Sequence, residues 1–402
     1  MQKTFYNQYR VALFFFVVSA IYGWSMRLYK VVDVLKIPYH SILQAHSHVT
    51  FLGWGFLAVI SLIGVAFYPE KLKTSKYLKN IFWVMSFALL GLLISFPLQG
   101  YKLFSIVFLS SFLIASYFYL ARILKQIKGD TKMSSRFIRT GIWYYYLSSI
   151  GIWAIAFIVN RYGKTDLYSN AIYFYLHFLY NGFFTFALFG LLIRSIEKNG
   201  SVDLKRPIKL FYWWTNLACI PAYALSLLWK DVPSFVVYIA ILAAVIQLVS
   251  LFYFVRISSY FIKWNQNVKL IKWLSILLFS SYGLKIIIQF LSAFPVIVKE
   301  AVLFKSYFII GYIHLFTLGF MSLFIILLTL VFTAVSFNKY GLLIFISGIV
   351  LSELLLFSQG IMLSVFENGI GEIDFWLLLV STLLPLGLIV QFVSLRINTK
   401  KA

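Results

Sequence analysis

The sequence predicts an all-α polytopic membrane protein. It is read as twelve transmembrane helices in a pseudo-threefold arrangement of four-helix units, with the N- and C-termini cytoplasmic. Three observations carry this. Of the 402 residues 62% are hydrophobic and only 12% charged, with a mean hydropathy of +0.90, whereas a soluble domain carries about a quarter charged residues. Apolar runs close to the roughly 20 residues needed to cross a bilayer recur along the whole chain. The Lys and Arg residues alternate in density from one loop to the next.

Taken in order, apolar runs bounded by charge, Pro or Gly fall at 11–29, 44–68, 78–98, 102–122, 140–160, 170–193, 208–229, 233–254, 270–291, 304–332, 340–363 and 375–395. Each is too long and unbroken for a strand, and membrane β-barrels alternate apolar and polar residues instead. The opening MQKTFYNQYR-VALFFFVVSA resembles the charged and apolar regions of a signal peptide. Its apolar run continues through Ile21, Tyr22 and Trp24 without a cleavage pattern, so an uncleaved first helix is expected. With the N-terminus inside, 25 of the 35 Lys and Arg face inward and 9 outward, and the remaining one, Lys285, lies inside the ninth segment. This distribution turns the +23 net charge into an orientation signal across the cell (inner) membrane. It argues against nucleic acid, because the charge is spread over every inner loop. The single cysteine, Cys219, excludes an intrachain disulfide and a CxxCH haem attachment.

Four of the five histidines sit in one recurring pattern, [HY]-x-H-x-x-x-[LN]-G-[FW]. The copies are His46-Ser-His48 through Gly53-Trp54, Tyr175-Leu-His177 through Gly182-Phe183, and Tyr312-Ile-His314 through Gly319-Phe320. The central histidines are 129 and 137 residues apart, near a third of the chain, and fall on the second, sixth and tenth segments. This divides one transmembrane domain, 1–402, into approximate repeats 1–136, 137–266 and 267–402, each placing a histidine in the outer half of the bilayer. Polar side chains at that depth are costly and default to a functional reading, and imidazole is the commonest metal ligand. His48, His177 and His314, with His46 beside them, are therefore candidate metal ligands for copper or zinc. Positions i and i+2 lie about 200° apart around a helix, so His46 and His48 serve two sites or one is structural. The shared glycine permits close helix approach.

Lys285 and Glu353 are the only charged groups at mid-membrane depth. Lys285 and Gln289 share one helix face and are candidates to pair with each other; Glu353 is a candidate proton relay. His40, beside Pro38, is expected at the surface. No phosphate loop, Ser-His-Asp set or zinc motif is visible.

At these residues the chain resembles the haem-copper oxidase subunit I superfamily and its divergent branch NnrS, linked to nitric oxide stress. Tyr307 to His314 looks like the oxidase stretch ending in His-x-His, and Ala45-His46-Ser-His48 with Gly53 is similar to the oxidase haem-ligand helix and to the NnrS-type spacing. The resemblance implies haem b held between His314 and either His46 or His48, a copper-ligand position at His177, and a haem propionate partner at Lys285. Tyr312 stands where the family has its high-spin haem histidine. The segment through Trp213, Trp214, Asn216 and Tyr223 lacks the copper His-His pair, and the eleventh lacks the paired arginines. A terminal oxidase is thereby disfavoured. The expected function is haem binding for electron transfer, gas sensing or support of respiratory-chain components, with a haem-free copper or zinc site and a transporter or structural membrane partner as the alternatives.

Overall fold

The computed structural model describes residues 2–32, 37–68, 75–199 and 203–397. Lys36, Lys71, Lys73, Lys400 and Lys401, counted in the charge bias, lie outside them. Among the described residues the chain is mainly helical, and the one strand pairing is a two-residue antiparallel bridge, β1 (Val335–Ser336) with β2 (Arg396–Ile397). The helices run α1 (Gln2–Val31), α2 (Tyr39–His48), α3 (Leu57–Phe67), α4 (Lys76–Gln99), α5 (Leu103–Ile127), α6 (Met133–Tyr162), α7 (Asp166–His177), α8 (Thr185–Lys198) and α9 (Lys205–Cys219). They continue with α10 (Ser234–Trp264), α11 (Lys269–Leu291), α12 (Pro295–Leu303), α13 (Lys305–His314), α14 (Leu323–Phe332), α15 (Lys339–Phe366), α16 (Ile373–Ser381) and α17 (Leu383–Ser394).

Among the described residues, eleven helices are long and apolar enough to cross a membrane, by length and composition. The difference from twelve is the expected segment 208–229. There α9 ends at Cys219 and gives way to a 3₁₀ turn, Pro221–Leu227. Pro221 has no N–H to donate and its ring clashes with the carbonyl four residues back, which ends an α-helix.

Three spans are continuous helices with a π-helical turn inside. Val49–Phe56 joins α2 to α3, Phe178–Phe184 joins α7 to α8, and Leu315–Ser322 joins α13 to α14. π turns are rare and concentrate at functional positions. Here each begins directly after a motif histidine and contains the motif glycine. The wider turn disturbs the carbonyl ladder, and hydroxyls bond the affected oxygens: Thr185 Oγ1 donates to Tyr180 O at 2.7 Å and Ser322 Oγ to Thr317 O at 2.6 Å, both five residues back. These three spans are 89, 89 and 83% buried, against 28–50% for the other eight. Their all-round apolar sequences fit such burial, since a helix with no polar face needs protein or lipid on every side.

The chain packs as two compact units, Met1–Gln126 with Leu328–Ala402, and Ile127–Leu327. The division at Leu328 falls inside the third sequence repeat. In the first unit α1 lies along α2 and α3 through Tyr9, Phe16, Ser19 and Gly23, residues at helical spacing. Phe16 stacks on Trp54 with centroids 4.5 Å apart, and a Cβ at Gly53 would stand 2.7 Å from Phe15 Cβ. In the second unit α6 packs on α7 and α8 through glycines on both sides. A Cβ at Gly182 would meet Tyr144 Cβ at 2.5 Å, and one at Gly151 would meet Ala171 O at 2.9 Å. α11 approaches the third π turn likewise, with Ser281 Oγ 3.0 Å from a Cβ at Gly319. The contacting pairs Phe15–Gly53, Tyr144–Gly182 and Ser281–Gly319 are each 38 residues apart. The motif thus recurs as a packing unit, in which one helix lies against the glycine of the next histidine span.

Candidate functional site

The first unit holds two motif histidines in different surroundings. His46 Nδ1 lies 2.8 Å from Ser19 O, so that nitrogen carries the proton and donates. No hydrogen bond engages Nε2 among the described residues. The ring lies against Gly23, where a Cβ would come within 2.9 Å of Cε1. Ser19 and Thr50 share a short hydrogen bond, and Thr50 Oγ1 also donates to His46 O at 2.7 Å. His48 points elsewhere, as two residues of helical separation require. Its Nδ1 donates to Gln44 O at 2.8 Å, its Nε2 accepts from the Tyr101 hydroxyl at 2.8 Å, and its ring packs on Phe96 with centroids 4.7 Å apart. Both nitrogens of His48 are therefore occupied by protein groups.

Glu353 is 9% exposed on α15, and neither carboxylate oxygen has a hydrogen-bond partner among the described residues. His40 is exposed and close to Gln44, with Nε2 2.7 Å from the Gln44 amide nitrogen.

The second unit ties His177 to Lys285. His177 Nε2 donates to Cys219 O at 2.8 Å, and Nδ1 accepts from the Asn181 amide at 3.3 Å. Asn181 Oδ1 in turn accepts from the Lys285 ammonium. That ammonium also sits 5.8 Å above the Tyr282 ring and 5.9 Å above the Phe316 ring, a placement in which ring quadrupoles attract a cation. The pairing of Lys285 with Gln289 suggested by their spacing does not form, and Gln289 Oε1 has no partner among the described residues. Tyr312 and His314 share the last turn of α13.

Lys285 opens onto a small polar cavity. Four spans contribute to its wall: Asn181 from the π turn, Thr215 and Cys219 from α9, Gln247 and Ser250 from α10, and Tyr282 beside the lysine on α11. Thr215 and Ser250 share a 2.6 Å hydrogen bond, whereas Gln247 Oε1 has none. About 20 Å³ is open to the centres of water-sized molecules, enough for one atom-sized guest. Asn181 was within reach of sequence reasoning, since it occupies the [LN] position of the motif. Thr215, Gln247 and Ser250 carried no signal beyond being polar in apolar helices, and their convergence depends on helix rotation.

Among the described residues no group of three or more His, Cys, Asp and Glu side chains is placed to hold a metal ion. His48 and His177 spend both ring nitrogens on protein partners, so neither has a lone pair left for copper or zinc in this arrangement. His46 is different: a ring held by Nδ1–H on a carbonyl with Nε2 disengaged is the second-shell geometry that orients metal-ligating histidines. No protein-family model and no curated protein matches this chain.

Proposed function

We propose that the chain is a membrane haem-binding protein in which His46 would hold the haem iron. The observation that carries this reading is the imidazole of His46, anchored through Nδ1 on Ser19 O with Nε2 disengaged. Gly23 supports it by letting the ring lie where a side chain would strike it. Of the pair left open by the sequence, His46 fits the ligand role and His48 the structural one. A bound haem b supplies one-electron chemistry. The protein fixes the tautomer of His46 through Ser19 and surrounds its span with apolar groups that exclude water.

The same reading takes the seventh crossing as composite. Fifteen α-helical residues and seven 3₁₀ residues add up to roughly 36 Å, enough for a bilayer core. Twelve crossings then keep both termini inside the cytoplasmic membrane, consistent with the 25 inward and 9 outward Lys and Arg. Electron transfer to or from respiratory-chain components is the role this arrangement serves. The test is the spectrum of the purified protein. A reduced b-type spectrum that is lost in His46→Ala supports the reading, and a preparation with no haem absorption overturns it.

A further inference from the structure

The resemblance to the oxidases would put a haem propionate on Lys285; the cavity beside that lysine offers a smaller occupant. A lysine ammonium at membrane depth is normally matched by a carboxylate, and isolated buried charge is among the most expensive groups to leave uncompensated. Lys285 is 2% exposed, and no carboxylate lies within ion-pair distance of it among the described residues. Its ammonium has three hydrogens, and among the described residues only Asn181 Oδ1 accepts from it. Part of the remaining wall keeps hydrogen-bond capacity with no partner among the described residues. The Thr215–Ser250 pair uses one hydroxyl hydrogen and keeps the other, and Gln247 is 93% buried with an unpartnered amide oxygen, while the Cys219 thiol is paired with the Tyr144 hydroxyl. Turned about its last bond, the same amide presents its NH₂ to the cavity. The open space is enough for one atom-sized guest.

We propose that this cavity binds one small monovalent anion of halide size, held by Lys285 with the Thr215–Ser250 hydroxyls and the Gln247 amide around it. The anion supplies the counter-charge that the helices lack, so it acts as a structural ligand linking α9, α10 and α11. Its binding raises stability by mass action, in proportion to the logarithm of its concentration once the site begins to fill.

The test uses the full chain in lipid nanodiscs, unfolded thermally at fixed ionic strength in mixtures of sodium bromide and sodium gluconate, whose anion is too large for the cavity. The wild type is expected to show a Tm that rises with bromide more steeply than in Lys285→Met. Gln247→Glu places a carboxylate in the cavity. It is expected to be at least as stable as wild type in gluconate and to lose the bromide dependence. If Lys285→Met does not fold, Gln247→Glu carries the test, together with bromide anomalous scattering from wild-type crystals. One peak per chain in this cavity is expected. A wild-type Tm indifferent to bromide, a Gln247→Glu protein that still responds to it, or a cavity holding only water overturns the proposal.

Discussion

Substituting the three motif glycines by alanine is predicted to give unequal losses, because each new methyl group meets a different atom. At Gly182 the Cβ would stand 2.5 Å from Tyr144 Cβ and 2.8 Å from Cγ, and at Gly53 it would stand 2.7 Å from Phe15 Cβ and 2.9 Å from Cγ. A Cβ is fixed to its backbone, so no rotamer change clears either contact and the helices must move apart. Overpacking of this kind costs about 1–3 kcal/mol. Alanine returns about 0.5–1 kcal/mol by restricting the unfolded backbone and favouring helix, which leaves a net loss of roughly 1–2 kcal/mol. At Gly319 the nearest atom is Ser281 Oγ at 3.0 Å, the end of a side chain that can rotate, and the fixed Ser281 Cβ, at 3.3 Å, need give only a few tenths of an ångström. Rotation gives up its 2.9 Å hydrogen bond to Leu277 O, about 1 kcal/mol, so gain and loss nearly cancel. The assay is Tm by intrinsic tryptophan fluorescence of each variant in one lipid nanodisc preparation. Gly182→Ala and Gly53→Ala should both melt clearly below wild type, with Gly319→Ala close to it. Tyr144→Ala should not rescue Gly182→Ala, because the Cβ that clashes is retained. A Gly319→Ala protein destabilised as much as Gly182→Ala would refute the reasoning.

Three further outcomes follow from the polar groups. Tyr101→Phe removes the donor to His48 Nε2 and should lower stability by about 0.5–1.5 kcal/mol without changing haem content, both measured on one purified preparation. Glu353→Met replaces a buried carboxyl lacking partners with an apolar side chain of similar length and should raise Tm; a lower Tm would mean that the carboxyl is engaged. At the end of α5, burial pushes the Asp130 carboxyl up, but the Lys132 N–H at 3.0 Å, the Ser135 hydroxyl at 2.7 Å and Arg194 at 3.5 Å outweigh it and hold it below the usual carboxylate range. A depressed folded-state value means stability that is present above the unfolded value and lost as pH falls through the folded one. Asp130→Asn should therefore melt below wild type near neutrality, and the gap should narrow as the pH is lowered through the acid range.

The spans were legible because a bilayer demands continuous apolar helices, and eleven of the expected twelve segments contain helices that are long and apolar enough. The composite at Lys205–Leu227 carried its own warning in Pro221, which the apolar run around it concealed. The histidine motif and its glycines could be aligned by eye, yet the π turns could not. Whether a carbonyl bonds four or five residues ahead is settled by packing between spans, with no residue type that marks it. The roles of His46 and His48 were equally hidden. Helix geometry required them to face different ways, but only the neighbours, Ser19 and Gly23 for one and Tyr101 and Phe96 for the other, distinguish an available nitrogen from a spent one. Lys285 stood out as a lone cation. Its partner Asn181 lay in the motif, and the polar wall around it required the rotation of two further helices, α9 and α10.

His46 and His48, two residues apart, differ in whether a ring nitrogen is left for iron, and haem content per chain of His46→Ala and His48→Ala measures that difference directly. His46→Ala is expected to lose the b-type spectrum while His48→Ala keeps it at wild-type stoichiometry; haem retained in His46→Ala and lost in His48→Ala would assign the roles the other way round.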